Sequence, residues 1–521
     1  MKQLALFILI VFISLCGCQD EKTDQHSLTH QQKKATQNNG HSVIVILIDS
    51  MTEKVIEKGL KEGRLPALQY LIDHGTVFHD LVAPFPSMSV TIESTLITGD
   101  SPDEHSVPGL NWYDATSDSL ISYGDSISSM WKLGRNDVID HTLSKLNNEH
   151  LNKKSTTIYE SLKRKGLTTG SINMLVYRGD TRHTLTVPAP FKTILQLESE
   201  TIETKGPDLL AFGKAIQPEI KGDVPDGITE QLGLNDRYSA EVIAQLIKDG
   251  QQPNFLMAFF PDFDKLAHHH GPYAIDDFIK VDHDVQTILN AYESWEDALT
   301  KNTFIVLGDH GQSELIHNKE SVGIELESLV YPYSVASLFE SPSSGDIIIA
   351  NNHRMAYFYL NNEELTFSRV SELLLQDDRI DHIACIENDE VVLQKQGIKG
   401  YLRFKEGGVL QDDYDQNWTL NGNRNIAHIS VKDNYINYND YPDIFHQLDS
   451  ALKSHDNTLI VTAKPGYTLK TEAAPVHVGG GEHGGLHKTD TLTSIIVSSK
   501  ENLPDKRRMV DLFDYFHTFF N

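Results

Sequence analysis

The chain has 521 residues, 39% of them hydrophobic, and a formal net charge of −28. That length exceeds one small domain and suits a large α/β domain carrying an insertion. The acidity excludes nonspecific binding to a nucleic-acid polymer or to an anionic membrane surface. The three cysteines, Cys16, Cys18 and Cys385, exclude a disulfide framework.

Residues 1–18 read as a targeting segment. Lys2 supplies a charge, and Leu4 to Leu15 is an apolar run too short to span a bilayer. Leu15-Cys16-Gly17-Cys18 resembles a bacterial lipobox. It implies cleavage before a lipidated Cys18 and an extracytoplasmic, membrane-anchored lipoprotein; an ordinary signal peptide is the alternative. Residues 19–40, rich in Gln, Lys, Asn, Thr and His, cannot bury enough apolar surface to fold and read as a flexible tether.

The first buried strand is expected at Val43 to Ile48, a continuous, mostly β-branched run that ends in Asp49. Helical patterns follow at Glu53–Gly63 and Pro66–His74. Phe85 to Gly99 comes next, bracketed at its start by Pro84 and Pro86. Proline keeps the chain extended to about Met88, a helix then starts, and Gly99 can end it. Ser89 falls at the join, where its hydroxyl suits a helix cap and equally suits a nucleophile that attacks phosphorus.

Thr157-x-x-Glu160 is a capping box before a short helix. A strand is expected over Leu167–Val176, followed by a loop with Arg178 and Arg182. Asn235–Lys248 reads as a helix, Asn254–Phe260 as a strand, Asp277–Leu299 as one long helix and Thr303–Leu307 as a third buried strand. Alternating strands and helices indicate an α/β fold with a doubly wound, mostly parallel sheet. The pattern changes to short apolar pieces and polar loops further on, so residues 331–457 read as an α+β insertion or cap. The catalytic core then comprises 41–330 and 458–521, with strands at Thr458–Thr462 and Leu492–Ser498 and a final helix over Arg508–Phe520.

Four acid or histidine pieces fall at strand ends or in glycine loops. In open α/β sheets, ligands bind beyond the carboxyl ends of the strands. Asp49 and Asp309-His310 each follow a buried strand. Asp264 and His268 are four apart, so a helical turn puts them on one face. His483 sits in Gly479-Gly480-Gly481-Glu482-His483-Gly484-Gly485, where backbone can approach a ligand closely. Each piece alone has a structural reading as a turn or a solvated run; together they indicate a site.

The set resembles the alkaline phosphatase superfamily, nearest its nucleotide pyrophosphatase/phosphodiesterase branch. The resemblance rests on Ile48-Asp49, Pro86-Ser87-Met88-Ser89 with Thr98-Gly99, Asp264-x-x-x-His268-x-x-Gly271-Pro272, Gly308-Asp309-His310-Gly311 and His483-Gly484-Gly485, in the family's order. It implies two zinc ions. Asp49, Asp309 and His310 would hold one, which also binds the Ser89 oxygen; Asp264, His268 and His483 would hold the other. Imidazole with carboxylate suits zinc better than magnesium. A metal-activated serine and a phosphoserine intermediate follow. His269 and His487 are spare histidines, expected in supporting or surface roles.

Three departures stand out: serine replaces the branch's usual threonine nucleophile, Ala267 replaces a frequent glycine, and Leu110 falls where the branch has a phosphate-holding asparagine. Asn111, one position on, is the candidate replacement, and Arg178 is the candidate cation for substrate. The expected activity is hydrolysis of small phosphate esters, nucleotide-like ones among them, with phosphodiesters ahead of phosphomonoesters. Phosphoethanolamine or phosphoglycerol transfer and a degenerate binding lipoprotein are the other readings.

Overall fold

The computed structural model describes residues 40–124, 135–187, 201–336, 341–455, 457–471, 474 and 476–520. The expected leader, Cys18 and nearly all of the tether lie outside the described residues. Seven strands form the central sheet in the order Thr76–Val82, Leu492–Val497, Asn302–Gly308, Ser42–Ile48, Phe255–Phe260, Thr169–Ile172, Leu209–Ala211. The last five run parallel, and Leu492–Val497 is antiparallel to both its neighbours.

Ser42–Ile48 shows why the sheet is wound on both faces. Every residue of it is buried, and successive side chains point to opposite faces. Ile44, Ile46 and Ile48 join a core with helices Glu53–Lys61, Pro66–His74, Asp236–Lys248 and Ile275–Leu289. Val43, Val45 and Leu47 join another with helices Ser89–Thr98, Ile158–Arg164 and Leu512–His517. Each such aliphatic side chain contributes roughly 2 kcal/mol relative to exposure. The capping box is present: Thr157 Oγ1 accepts from the Glu160 amide at 3.2 Å, and Glu160 Oε2 from the Thr157 amide at 2.9 Å.

Several elements are shorter than the sequence suggests. The strand expected over Leu167–Val176 spans only Thr169–Ile172, because Asn173 turns to φ 55°. The side chain of Asn173 ties that turn to the Gly233 carbonyl and the Gly213 amide. The expected long helix divides into Ile275–Leu289 and Trp295–Lys301, with Ser294 capping the second through the Asp297 amide. The terminal helix is only Leu512–His517, flanked by 3-10 turns.

The insertion forms its own nine-stranded sheet. Its order is Ile347–Asn352, Met355–Leu360, Thr458–Ala463, Ile380–Glu387, Glu390–Lys395, Ile398–Gln411, Tyr435–Tyr438, Ile429–Lys432, with Asn417–Gly422 beside Ile398–Gln411. Thr458–Ala463, expected in the catalytic core, lies here instead, antiparallel between Met355–Leu360 and Ile380–Glu387. It is buried on both faces, and in sequence that pattern is indistinguishable from a core strand. One face of this sheet packs with helix Ile444–Lys453 and also with Phe85 and Leu486, which flank the catalytic segments. The hairpin Ile347–Asn352/Met355–Leu360 turns through His353 and Arg354, with His353 at φ 61°.

Candidate active site

Three adjacent parallel strands deliver the acids to one sheet edge. Ile48 pairs with Gly308 and with Phe260, so Asp49, Asp309 and helix Asp262–His270 begin side by side. Asp264 and His268 lie one turn apart on that helix. Ser89 is the first residue of helix Ser89–Thr98, after an extended Met88, and Gly99 ends the helix at φ 72°. The serine does not cap the helix; its hydroxyl donates to Asp309 Oδ2 at 2.9 Å. The glycine loop carrying His483 comes so close that a Cβ on Gly480 would fall 1.8 Å from the His268 carbonyl oxygen.

Asp49, Asp309 and His310 bring ligand atoms within 4.8 Å of one another, as do Asp264, His310 and His483. His310 Nε2 lies 3.5 Å from Asp49 Oδ1 and 3.4 Å from Asp309 Oδ2. His268 Nε2 lies 3.2 Å from Asp264 Oδ2, and His483 Nε2 lies 3.9 Å from Asp264 Oδ1. The rings of His310 and His483 stack at 3.8 Å between centroids, so the two clusters adjoin.

The three imidazoles share one device. Nδ1 of His268 contacts the Gly481 carbonyl at 2.8 Å, that of His310 the Gly311 carbonyl at 3.0 Å, and that of His483 the Ser87 carbonyl at 2.7 Å. A carbonyl only accepts, so each Nδ1 donates and each Nε2 is turned toward the acids, free to serve as a ligand once it carries no proton. His310 Nε2 and Asp49 Oδ1 are buried without a hydrogen-bond partner. Buried polar atoms without partners are costly, and a cation between them satisfies both. The donor set of imidazole nitrogen and carboxylate oxygen fits a zinc-class ion.

Electrostatics agree. Burial, with Asp264 and Asp309 beside it, pushes the Asp49 carboxyl well up, and burial lifts Asp309 to about 6. Burial opposes charge on Asp264 too, but the neighbouring His268 and His483 hold it well below the usual carboxylate range. Burial drops His310 to about 4 and His483 to about 3. His268 goes the other way: burial opposes its charge, but Asp264 raises it to about 9. Crowded buried carboxylates and the neutral imidazoles of His310 and His483 are what a metal-ligand set requires, and a metal at His268 would displace its proton.

The six sequence-predicted ligands and Ser89 thus converge. Two other candidates do not behave as expected. Arg178 is buried and its guanidinium is used up: it donates to the Leu151 and Asn152 carbonyls at 2.9 Å each and to the Ser155 carbonyl, and pairs with Glu160 at 3.3 Å. It borders Asp100, at the far end of helix Ser89–Thr98, about 15 Å of helix from the serine. Leu110 packs on the core beneath the sheet. Asn111 donates its side-chain amide to the Asn351 carbonyl at 2.8 Å, and its backbone amide to Asn352 Oδ1 at 2.9 Å. It clasps the insertion hairpin to the core. His487 caps helix Lys488–Thr491 through the Thr489 amide.

Sequence reasoning missed the groups that hold the acids. Ser50 donates its amide to Asp309 Oδ1 at 2.9 Å and its hydroxyl to Asp264 Oδ1 at 2.7 Å. Gln312 Nε2 donates to Ser50 Oγ at 2.8 Å and to Asp264 Oδ1. Their adjacency to Asp49 and to Asp309-His310 was the available signal. His353 and Arg354, from the distant insertion, had none. Arg354 pairs with Asp490, both side chains fully buried, and Asp490 Oδ2 accepts the Gly485 amide at 2.8 Å.

A phosphoester hydrolase of the alkaline phosphatase superfamily is the class that this sheet and its ligand edge define. Within it, the chain belongs to the type I phosphodiesterase/nucleotide pyrophosphatase family, whose model matches residues 43–486, and it is a metal-dependent enzyme. Among solved structures it is similar to murine ectonucleotide pyrophosphatase/phosphodiesterase 5, in an inactive form in complex with AMP: 14% identity, TM-score 0.52, covering 92% of this chain and 94% of that one. The human phosphodiesterase 5 gives 14%, 0.51, 92% and 94%. Phosphonoacetate hydrolase from Sinorhizobium meliloti, in complex with phosphonoformate, gives 14%, 0.53, 92% and 95%. These likenesses concern the fold. No curated protein sequence matches significantly.

Proposed function

We propose that the chain is a two-zinc phosphodiesterase that uses Ser89 as its nucleophile. The observation that carries this reading is the convergence of three carbonyl-pinned imidazoles on Asp49, Asp264 and Asp309, with the Ser89 hydroxyl 2.9 Å from one of them. Asp49, Asp309, His310 and Ser89 would hold one ion, and Asp264, His268 and His483 the other. Two such ions would lower the pKa of the serine hydroxyl and stabilise the leaving oxygen.

The chain's own groups then divide the work. Ser89 Oγ, at a helix N-terminus whose free amides favour phosphate oxygens, attacks phosphorus in line and the ester oxygen departs. Water hydrolyses the phosphoserine. Ser50 and Gln312 fix the acids, so the site needs no reorganisation at the moment of reaction.

The preference for diesters is supported by what the arginines do. A phosphomonoester dianion calls for extra cations beside the metals. Arg178 and Arg354 are committed to protein partners, and Lys265, half-exposed on the ligand helix, turns to Gln231 and Asp262. Matched aryl mono- and diesters test this: kcat/KM should be higher for the diester, and a strong monoester preference overturns it. An AMP-bound structural neighbour makes nucleotide esters the first natural substrates to assay.

The lipobox-like Leu15-Cys16-Gly17-Cys18 supports an extracytoplasmic, lipid-anchored location. No helix among the described residues is long and apolar enough to cross a membrane. Wild type should partition with membranes and Cys18→Ser should not; a wild type free in solution overturns the anchor.

A further inference from the structure

Beside the two-ion centre lies a second cluster of ligand-type side chains that the proposed chemistry does not use. His353, His477 and Glu482 bring ligand atoms within 4.8 Å of one another. They come from three places: the tip of the insertion hairpin, the loop before the glycine run, and the residue preceding His483. Glu482 Oε1 lies 2.6 Å from His353 Nδ1, and Glu482 Oε2 lies 3.1 Å from His477 Nδ1. The cluster adjoins the Asp264/His268/His483 half of the centre: His268 Nδ1 lies 3.6 Å from Glu482 Oε1, and the His268 and His477 rings are 4.3 Å apart.

Burial singles this carboxylate out: the Glu482 side chain is 0% exposed, and the nearby arginine, Arg354, is bound to Asp490. A buried carboxylate needs partners for its oxygens, and Glu482 also lies within ligand reach of His268 and His483. The groups that face Glu482 are the imidazoles of His353, His477 and His268 and the His483 amide, which donates to Oε1 at 3.3 Å; imidazoles bind divalent transition ions as well as donating hydrogen bonds. In a tetrahedral site with bonds of about 2.0 Å, ligand atoms stand about 3.3 Å apart. His353 stands 2.6 Å from one oxygen of Glu482 and His477 3.1 Å from the other, and all three ligand atoms lie within 4.8 Å of one another. His353 also holds a left-handed φ of 61° at a two-residue turn, a conformation that a β-hairpin tip can use to aim a side chain.

We propose that His353, His477 and Glu482 form a third divalent-metal site of the zinc class next to the two-ion centre. Three protein ligands leave a fourth position for water. Because the insertion supplies His353, that region becomes part of the metal site and not only a cap.

The proposal rests on the two-ion reading, and metal counting separates the two. The full chain is dialysed to equilibrium against zinc, and bound zinc per chain is measured by mass spectrometry. Wild type should bind three ions, and His477→Ala, at a part-exposed loop position, should bind two. His353→Gln, which keeps a polar side chain at the hairpin tip, should also bind two, with folding checked by circular dichroism. Two ions in wild type and in both variants would overturn the third site and leave the two-ion centre standing, with Glu482 merely hydrogen-bonded by imidazoles. Fewer than two in wild type would overturn both.

Discussion

Asp49, Asp309 and His310 stand on the ends of two strands paired in register, Ile48 opposite Gly308. Asp264, His268 and His483 come from a helix and a glycine loop joined over 213 positions by the His268–Gly481 bond. The first half of the centre inherits its geometry from the sheet. The second is assembled by long-range contacts, and its loop is held from outside: Arg354, from the insertion hairpin, grips Asp490, which binds the Gly485 amide. The difference teaches that half of this site is fixed by paired core strands, whereas the other half depends on how the insertion docks.

Ser89 belongs to the first half through Asp309, so its removal is the largest expected effect. Ser89→Ala should lower kcat by a factor on the order of 10⁴ or more while metal content and melting temperature stay near wild type. Ser89→Thr should keep much of the activity, since a hydroxyl remains at the same atom. Full turnover by the alanine variant would remove the serine from the mechanism.

Single ligands break the halves separately. His310→Ala and His268→Ala should each lose roughly one zinc ion and nearly all activity. The comparison predicts different collateral damage. His310 is fully buried among strand ends and stacks on His483, so its loss should disturb both halves. His268→Ala should leave the Asp49/Asp309/His310 ion in place, visible as one tightly held metal per chain after brief chelation. If both variants keep a full metal complement, neither histidine is a ligand.

A sharper test works from a distance. Arg354→Met removes one partner of a fully buried ion pair and should destabilise the protein by about 3–5 kcal/mol, read by denaturant unfolding. It should also loosen the His483 loop, so the ion held by Asp264, His268 and His483 dissociates first while the other remains. Equal loss of both ions would show that the halves are not independently supported.

The same contrast explains what could be read from the sequence. Asp49, Asp309 and His310 were legible because a buried parallel strand is an unbroken apolar run, and a polar residue at its end is conspicuous. Asp264 and His268 were legible from their helical spacing, and His483 from its glycines. Thr458–Ala463 was misplaced because a strand buried in the middle of an antiparallel sheet has the same composition as a core strand. His353 and Arg354 left no trace, since only the folded hairpin brings them to Glu482 and Asp490. Glu482, beside His483, carries no signal of its own in the glycine run; its burial is a tertiary property.

Arg178 gives the smallest expected effect on chemistry. It follows a strand on the ligand side in sequence, which made it a candidate for holding substrate. In the fold it sits beyond the opposite end of the nucleophile's helix, bonded to three carbonyls and to Glu160. Arg178→Ala leaves Glu160, itself part of the Thr157 capping box, without its cation, and strips the carbonyls of their donor. The variant should therefore unfold more easily, by about 3 kcal/mol. Its ratio of kcat/KM for matched aryl mono- and diesters should stay within about twofold of wild type, because less than 0.5 kcal/mol of differential binding is then at stake. A selective loss of monoester cleavage, with stability unchanged, would return Arg178 to the substrate site and turn the preference toward monoesters.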